Sequence, residues 1–146
     1  MKKLSLSKYF KTLAKIHATL IFVQLFFILA TLFLRLEDFI VIGSGDFSFF
    51  RYVLPVFVFA GLLEGNRIYK RKTKIASGKS TLAKKLSMYR KGVMVCYSFW
   101  MISSLASVGA CLLTGNWFYL ALSGLVVVLF LANRPTIDRA KRELDL

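Results

Sequence analysis

Four apolar stretches, residues 16–34, 47–63, 93–113 and 117–132, take up half of the chain, and charged or turn-forming segments separate them. A helix needs about 20 residues to cross roughly 30 Å of hydrocarbon. The first and third stretches therefore span unaided, whereas the second and fourth must borrow flanking residues. Arg51 can snorkel from the second, and Trp117 and Tyr119 suit an interfacial belt. Across 146 residues the hydrophobic content is 57%, above the roughly 45–50% of soluble domains. The expected fold is all-α: a single transmembrane domain over 1–146, with four transmembrane helices and a basic cytoplasmic loop at 64–92. The first stretch is read as a retained span, because charge precedes it at length and no A-x-A site follows.

Charge placement orients this scheme. Of the 21 Lys and Arg, five precede the first stretch, ten lie from Arg67 to Lys91 and four follow Asn133; only Arg35 and Arg51 fall on the other side. Such an excess marks cytoplasmic loops, so both termini are expected in the cytoplasm; the simplicity of the topology suggests a bacterial-type inner membrane. Topology thus accounts for a net charge of +14 without nucleic acid, for which no reader signature is present. Lys8, Lys11, Lys15, Arg67, Lys70, Arg71, Lys72, Lys74, Lys84, Lys85, Arg90 and Lys91 are the candidate contacts for anionic lipid headgroups or an acidic partner. At the opposite face Arg35 and Arg51 can be balanced by Glu37, Asp38 and Asp46.

Two cytoplasmic interfacial amphipathic helices are expected beside the spans. Leu6, Phe10, Leu13 and His17 share one helical face, with Lys8, Lys11 and Lys15 on the other; Leu82, Leu86 and Tyr89 repeat the design against Lys84, Lys85 and Lys91. Asn66-Arg67 and Asn133-Arg134 each close an apolar stretch. Together these features suggest a parallel repeat of two hairpins.

Tests for chemistry return little. Ser77-Gly78-Lys79-Ser80-Thr81 resembles the end of a phosphate-binding loop, but Thr73 stands where the first glycine should, and no strand precedes it. The segment reads instead as a turn, with Ser80 or Thr81 capping the next helix. His17 is the sole histidine, which leaves no multi-histidine metal site. Cys96 and Cys111 lie about 22 Å apart on one helix, beyond the reach of a disulfide. No carboxylate lies within a span, which argues against ion-coupled rotor subunits and small multidrug transporters; Glu64, at the end of the second stretch, is expected to pair with Arg67. Neither a catalytic residue nor a cofactor is assigned, and the chain is not expected to be an enzyme.

What remains is packing. Ser103 with Ser107 and Ala106 with Ala110 have small-xxx-small spacing, and Ala121 and Gly124 offer a small surface on the fourth stretch, so the last two spans should form a tight hairpin. The leading functional expectation is a non-catalytic accessory or assembly subunit of a larger membrane complex, with membrane lipids and other subunits, or a second copy, as partners. The alternative is a transporter, channel or flippase component with a polar site at Gln24, Ser103, Ser104 and Ser107 near a kink at Pro55.

Overall fold

The computed structural model describes residues 6–36 and 48–145, which form five helices: α1 (Leu6–Leu36), α2 (Ser48–Ser77), α3 (Leu82–Thr114), α4 (Trp117–Ala132) and α5 (Ile137–Leu144). The described residues contain no strand. By length and composition α1, α2 and α3 can each cross a membrane, and α4 with α5 makes a fourth candidate if the pair, bent by 76°, counts as one span. With 16 residues, α4 alone covers about 24 Å.

The segment expected as a loop is largely helical. α2 continues past its apolar part to Ser77, and only Gly78 to Thr81 lie outside the helices. Arg, Lys, Ala and Ile tolerate or favour helix here, and Tyr69, Thr73 and Ala76, three and four residues apart, bury one face of the extension. Nor are the interfacial helices separate elements: their residues form the first turns of α1 and α3. Phe10, Leu13, His17, Leu86 and Tyr89 are buried, while Lys8, Lys11, Lys15, Lys84 and Lys91 are exposed. Leu82 of the second face is exposed, but the other described residues of the two apolar faces are spent on protein contact. The side chain of Leu6 and the acidic residues Glu37, Asp38 and Asp46 lie outside the described residues.

α3 is the central helix. It packs along α2, α4 and α1, and α1 rests on α3 and α4. Half of the apolar window of α3 is buried, against 17% for α1 and 22% for α2, so the outer two helices show most of their surface to the surroundings. Gly115 turns the chain from α3 to α4: its left-handed backbone (φ 69°) lets its N–H donate to the Cys111 carbonyl at 2.9 Å, and Asn116 Oδ1 then accepts from Phe118 N. The turn before α3 differs from expectation, since Thr81 occupies the N-cap position yet its side chain makes no capping bond. Pro55 does not interrupt α2.

Glycines set the α2–α3 distance. A Cβ on Gly61 would lie 2.3 Å from Ser103 Oγ; one on Gly65 would lie 3.2 Å from Phe99 Cβ and 3.3 Å from the Cys96 carbonyl; one on Gly92 would lie 3.1 Å from Lys72 Cβ. Gly61 and Gly65 have the G-x-x-x-G spacing that lets helices approach where lipid supplies no hydrophobic drive. Replacing Gly65 with Leu should force the helices apart at a cost of about 1–3 kcal/mol, seen as a lower thermal midpoint in detergent. Gly124→Ala, whose added Cβ meets nothing within 4 Å, should leave the midpoint unchanged or raised.

Candidate functional site

Basic residues gather at one end of the bundle, where α1 and α3 begin and α2 and α4 end. There the chain builds a polar clasp. Pro135 cannot continue a helix, so α4 stops at Ala132, and Asn133 caps it twice, its backbone N–H and its Nδ2 both donating to the Leu129 carbonyl at 3.1 and 2.9 Å. Thr136 then starts α5, its Oγ1 accepting from Arg139 N at 3.3 Å. One face of α5 carries Ala140 and Leu144, both buried; the other carries exposed Lys141 and Arg142. This short helix docks on α2 and touches α1.

The docking is polar and specific. Arg139 Nε donates to Glu143 Oε1 at 2.9 Å, Arg139 Nη1 donates to Asn133 Oδ1 at 3.2 Å, and the guanidinium lies 5.6 Å from the centre of the Tyr69 ring. From α2 the Tyr69 hydroxyl donates to Glu143 Oε2, and it lies 3.3 Å from the Tyr89 hydroxyl of α3. Lys85 Nζ adds a bond to the Leu144 carbonyl at 2.8 Å. Four helices, α2 through α5, therefore meet in one network. Tyr69 and Arg139 both lie beyond the apolar stretches. Burial, then the bonds to Glu143 and Tyr89, raise the Tyr69 pKa well above its ordinary value. Burial works against the Arg139 charge, but the bond to Glu143, with Tyr69 and Tyr89 beside it, outweighs burial and the net shift is upward. Tyr9, whose hydroxyl donates to the Leu86 carbonyl at 2.5 Å, is pushed up to about 12, chiefly by burial. All three stay protonated through the physiological range.

Beneath the clasp is a cleft lined by Asn66, Tyr69, Tyr89, Cys96, Tyr97, Trp100, Asn133 and Arg139, among others. The void it closes is only about 20 Å³, room for one water. Asn66 and Asn133, paired by the suggested repeat, thus face the same space. Below it His17 is buried against Tyr97 and Phe130, with ring centres 5.2 and 5.9 Å away.

The residues singled out from the sequence are scattered. Lys8, Lys11, Lys15, Arg67, Lys70, Arg71, Lys74, Lys84, Arg90 and Lys91 are exposed, while Lys72 and Lys85 are half-buried. Glu64 and Arg67 come within 3.9 Å as an exposed pair, which contributes little. Ser103 and Ser107 are buried, as is Ala110; Ala106 is half-buried and Ala121 exposed. Ser103 faces Gly61 of α2, and the α3–α4 contact uses a bond of 2.7 Å between Ser104 and Ser123, one residue before Gly124. Gln24, Ser103, Ser104 and Ser107 are each at most 1% exposed. With Gly61 against Ser103, Pro55 stands six residues, about 9 Å, further along α2.

Both cysteines are free and buried, and among the described residues no three His, Cys, Asp or Glu converge as a metal site. Of the clasp residues, Asn133 is read from the sequence only as the end of an apolar stretch, and Tyr69, Arg139 and Glu143 escaped it, although Pro135, Thr136 and the i, i+4 pair Arg139–Glu143 are local signals for a short helix. No protein-family model, characterised protein or solved structure matches the chain. Tyr69→Phe, Glu143→Gln and the double variant test the clasp. Their coupling should be about 0.5–3 kcal/mol, read from thermal unfolding in detergent, and the single variants should expose the segment after Asn133 to protease.

Proposed function

We propose that this is a non-catalytic integral membrane protein that acts as an accessory or assembly subunit of a larger membrane complex, with its basic end in the cytoplasm against anionic headgroups. One contrast carries the reading: Gln24, Ser103, Ser104 and Ser107 inside the spans are buried away from any open crevice, whereas the outward faces are wide and aromatic. On α1 the exposed residues include Phe22, Phe26 and Phe33, and on α2 Phe49, Tyr52 and Phe59. Such surface suits lipid chains or the helices of a partner. A transport site would need a wetted crevice at Gln24, Ser103, Ser104 and Ser107, and burial of all four gives that alternative no support.

The basic end supports a headgroup contact. Arg67, Lys70, Arg71 and Lys74 are exposed along the extension of α2, where each cation near an anionic surface contributes about 1 kcal/mol. In native membranes, mild crosslinking followed by purification should retain at least one membrane protein in fixed proportion. Recovery of the chain alone would remove the subunit reading. Independently, replacing those four cations with Gln should cut the enrichment of co-purifying anionic lipid by about tenfold or more, and raised salt should do the same.

A further inference from the structure

Two turns of helix beyond the His17 layer, the helix register brings three buried polar side chains to one level of the bundle. His17 of α1 packs against Tyr97 of α3 and Phe130 of α4, and the latter two ring centres are 5.0 Å apart. Seven residues on from His17 is Gln24, seven on from Tyr97 is Ser104, and seven back from Phe130 along antiparallel α4 is Ser123. Seven residues are about two turns, or roughly 10.5 Å, so the three stand at one level. The Ser104–Ser123 bond of 2.7 Å fixes two of them there. At the far end Arg35 donates to the Gly115 carbonyl, 80 residues on, the separation that also pairs His17 with Tyr97. The parallel register of α1 and α3 therefore holds on both sides of Gln24. The level also falls within one turn of the midpoints of stretches 16–34, 93–113 and 117–132, which is the membrane midplane.

Donors and acceptors do not balance in this layer. Each serine carries one hydroxyl proton. Ser103 and Ser107 turn theirs back to the carbonyls of Phe99 and Ser103. Ser104 and Ser123 bond to each other, which uses one proton of two. Gln24 adds an amide whose Nε2 and Oε1 both lack a partner, although the residue is only 1% exposed. Lipid cannot satisfy these groups, and each left unpaired is costly at this depth. A ligand that did so would have to be small, neutral, and both donor and acceptor. A cation fits poorly, since no carboxylate lies at this level to balance it.

We infer that Gln24, Ser104 and Ser123 form a midplane site for a single water molecule that bridges the amide to the serine pair. It needs two to four polar partners, and three helices supply them. The site ties α1 to α3 and α4 at the depth where α1 has no other polar anchor between His17 and Thr31.

Gln24 is the only glutamine in the chain, so side-chain 15N-glutamine labelling of the full protein in lipid bilayers gives one amide signal to follow. We expect magnetisation transfer from water to that NH2 group and its replacement by deuterium in D2O. In the Ser104→Ala, Ser123→Ala double variant the transfer should fall several-fold. An amide signal that receives transfer only from protein or acyl-chain protons and stays protonated in D2O overturns the proposal, as does water transfer unaffected by loss of both hydroxyls. The wild-type measurement decides the presence of water even if the double variant does not fold.

Discussion

Close approach of α2 to α3 is the contact on which the rest of the architecture depends. Backbone meets side chain at Gly61, Gly65 and Gly92, with less than 3.4 Å available for any Cβ. In a bilayer such contact replaces the hydrophobic drive of a soluble core, because lipid is as apolar as leucine and only packing and hydrogen bonds distinguish a helix neighbour from it. Trp100 reinforces the pair by donating from Nε1 to the Leu62 carbonyl at 3.4 Å. Once α2 covers one side of α3, the remaining sides are open to α4 and α1. That order explains why α3 is half-buried and the outer helices are not.

Two arginines close the ends of this assembly in similar ways. At the sparsely charged end Arg35 of α1 donates to the Gly115 carbonyl at 2.5 Å and lies 5.5 Å from the centre of the Trp117 ring, fastening α1 to the α3–α4 turn. At the basic end Arg139 does the same for α5 over Tyr69. A guanidinium is suited to both places, since it is planar, weakly hydrated and able to stack and donate at once. The other basic side chains singled out above are mostly free at the surface. Charge in this chain is thus divided between a few structural arginines and many solvated lysines and arginines, and only the second group is left free at the surface.

Hydrophobic length and charge placement were legible because they are local properties. The apolar stretches at 16–34 and 93–113 needed no partner to declare themselves helices long enough to span, and both lie within the helices observed. The extension of α2 through 64–77 was missed because its charge resembled a solvated loop. Its inward residues, Tyr69, Thr73 and Ala76, acquire meaning only when α3 is alongside. The serines of α3 show the same limit. Spacing identified them as a packing stripe, but it could not say that Ser103 turns to Gly61 while Ser104 turns to Ser123.

The amino-acid sequence by itself determined the stretches long and apolar enough to cross a membrane, the helical character of the described residues and the asymmetric distribution of charge. Composition and periodicity carry those properties, and no long-range contact alters them. Only the tertiary structure decided that α1 lies parallel to α3, that α5 folds back onto α2, and that Tyr69, Glu143 and Arg139 meet. These outcomes depend on the register between helices far apart in the chain, which is set by the fit of glycines, aromatic rings and a few hydrogen bonds across the whole bundle.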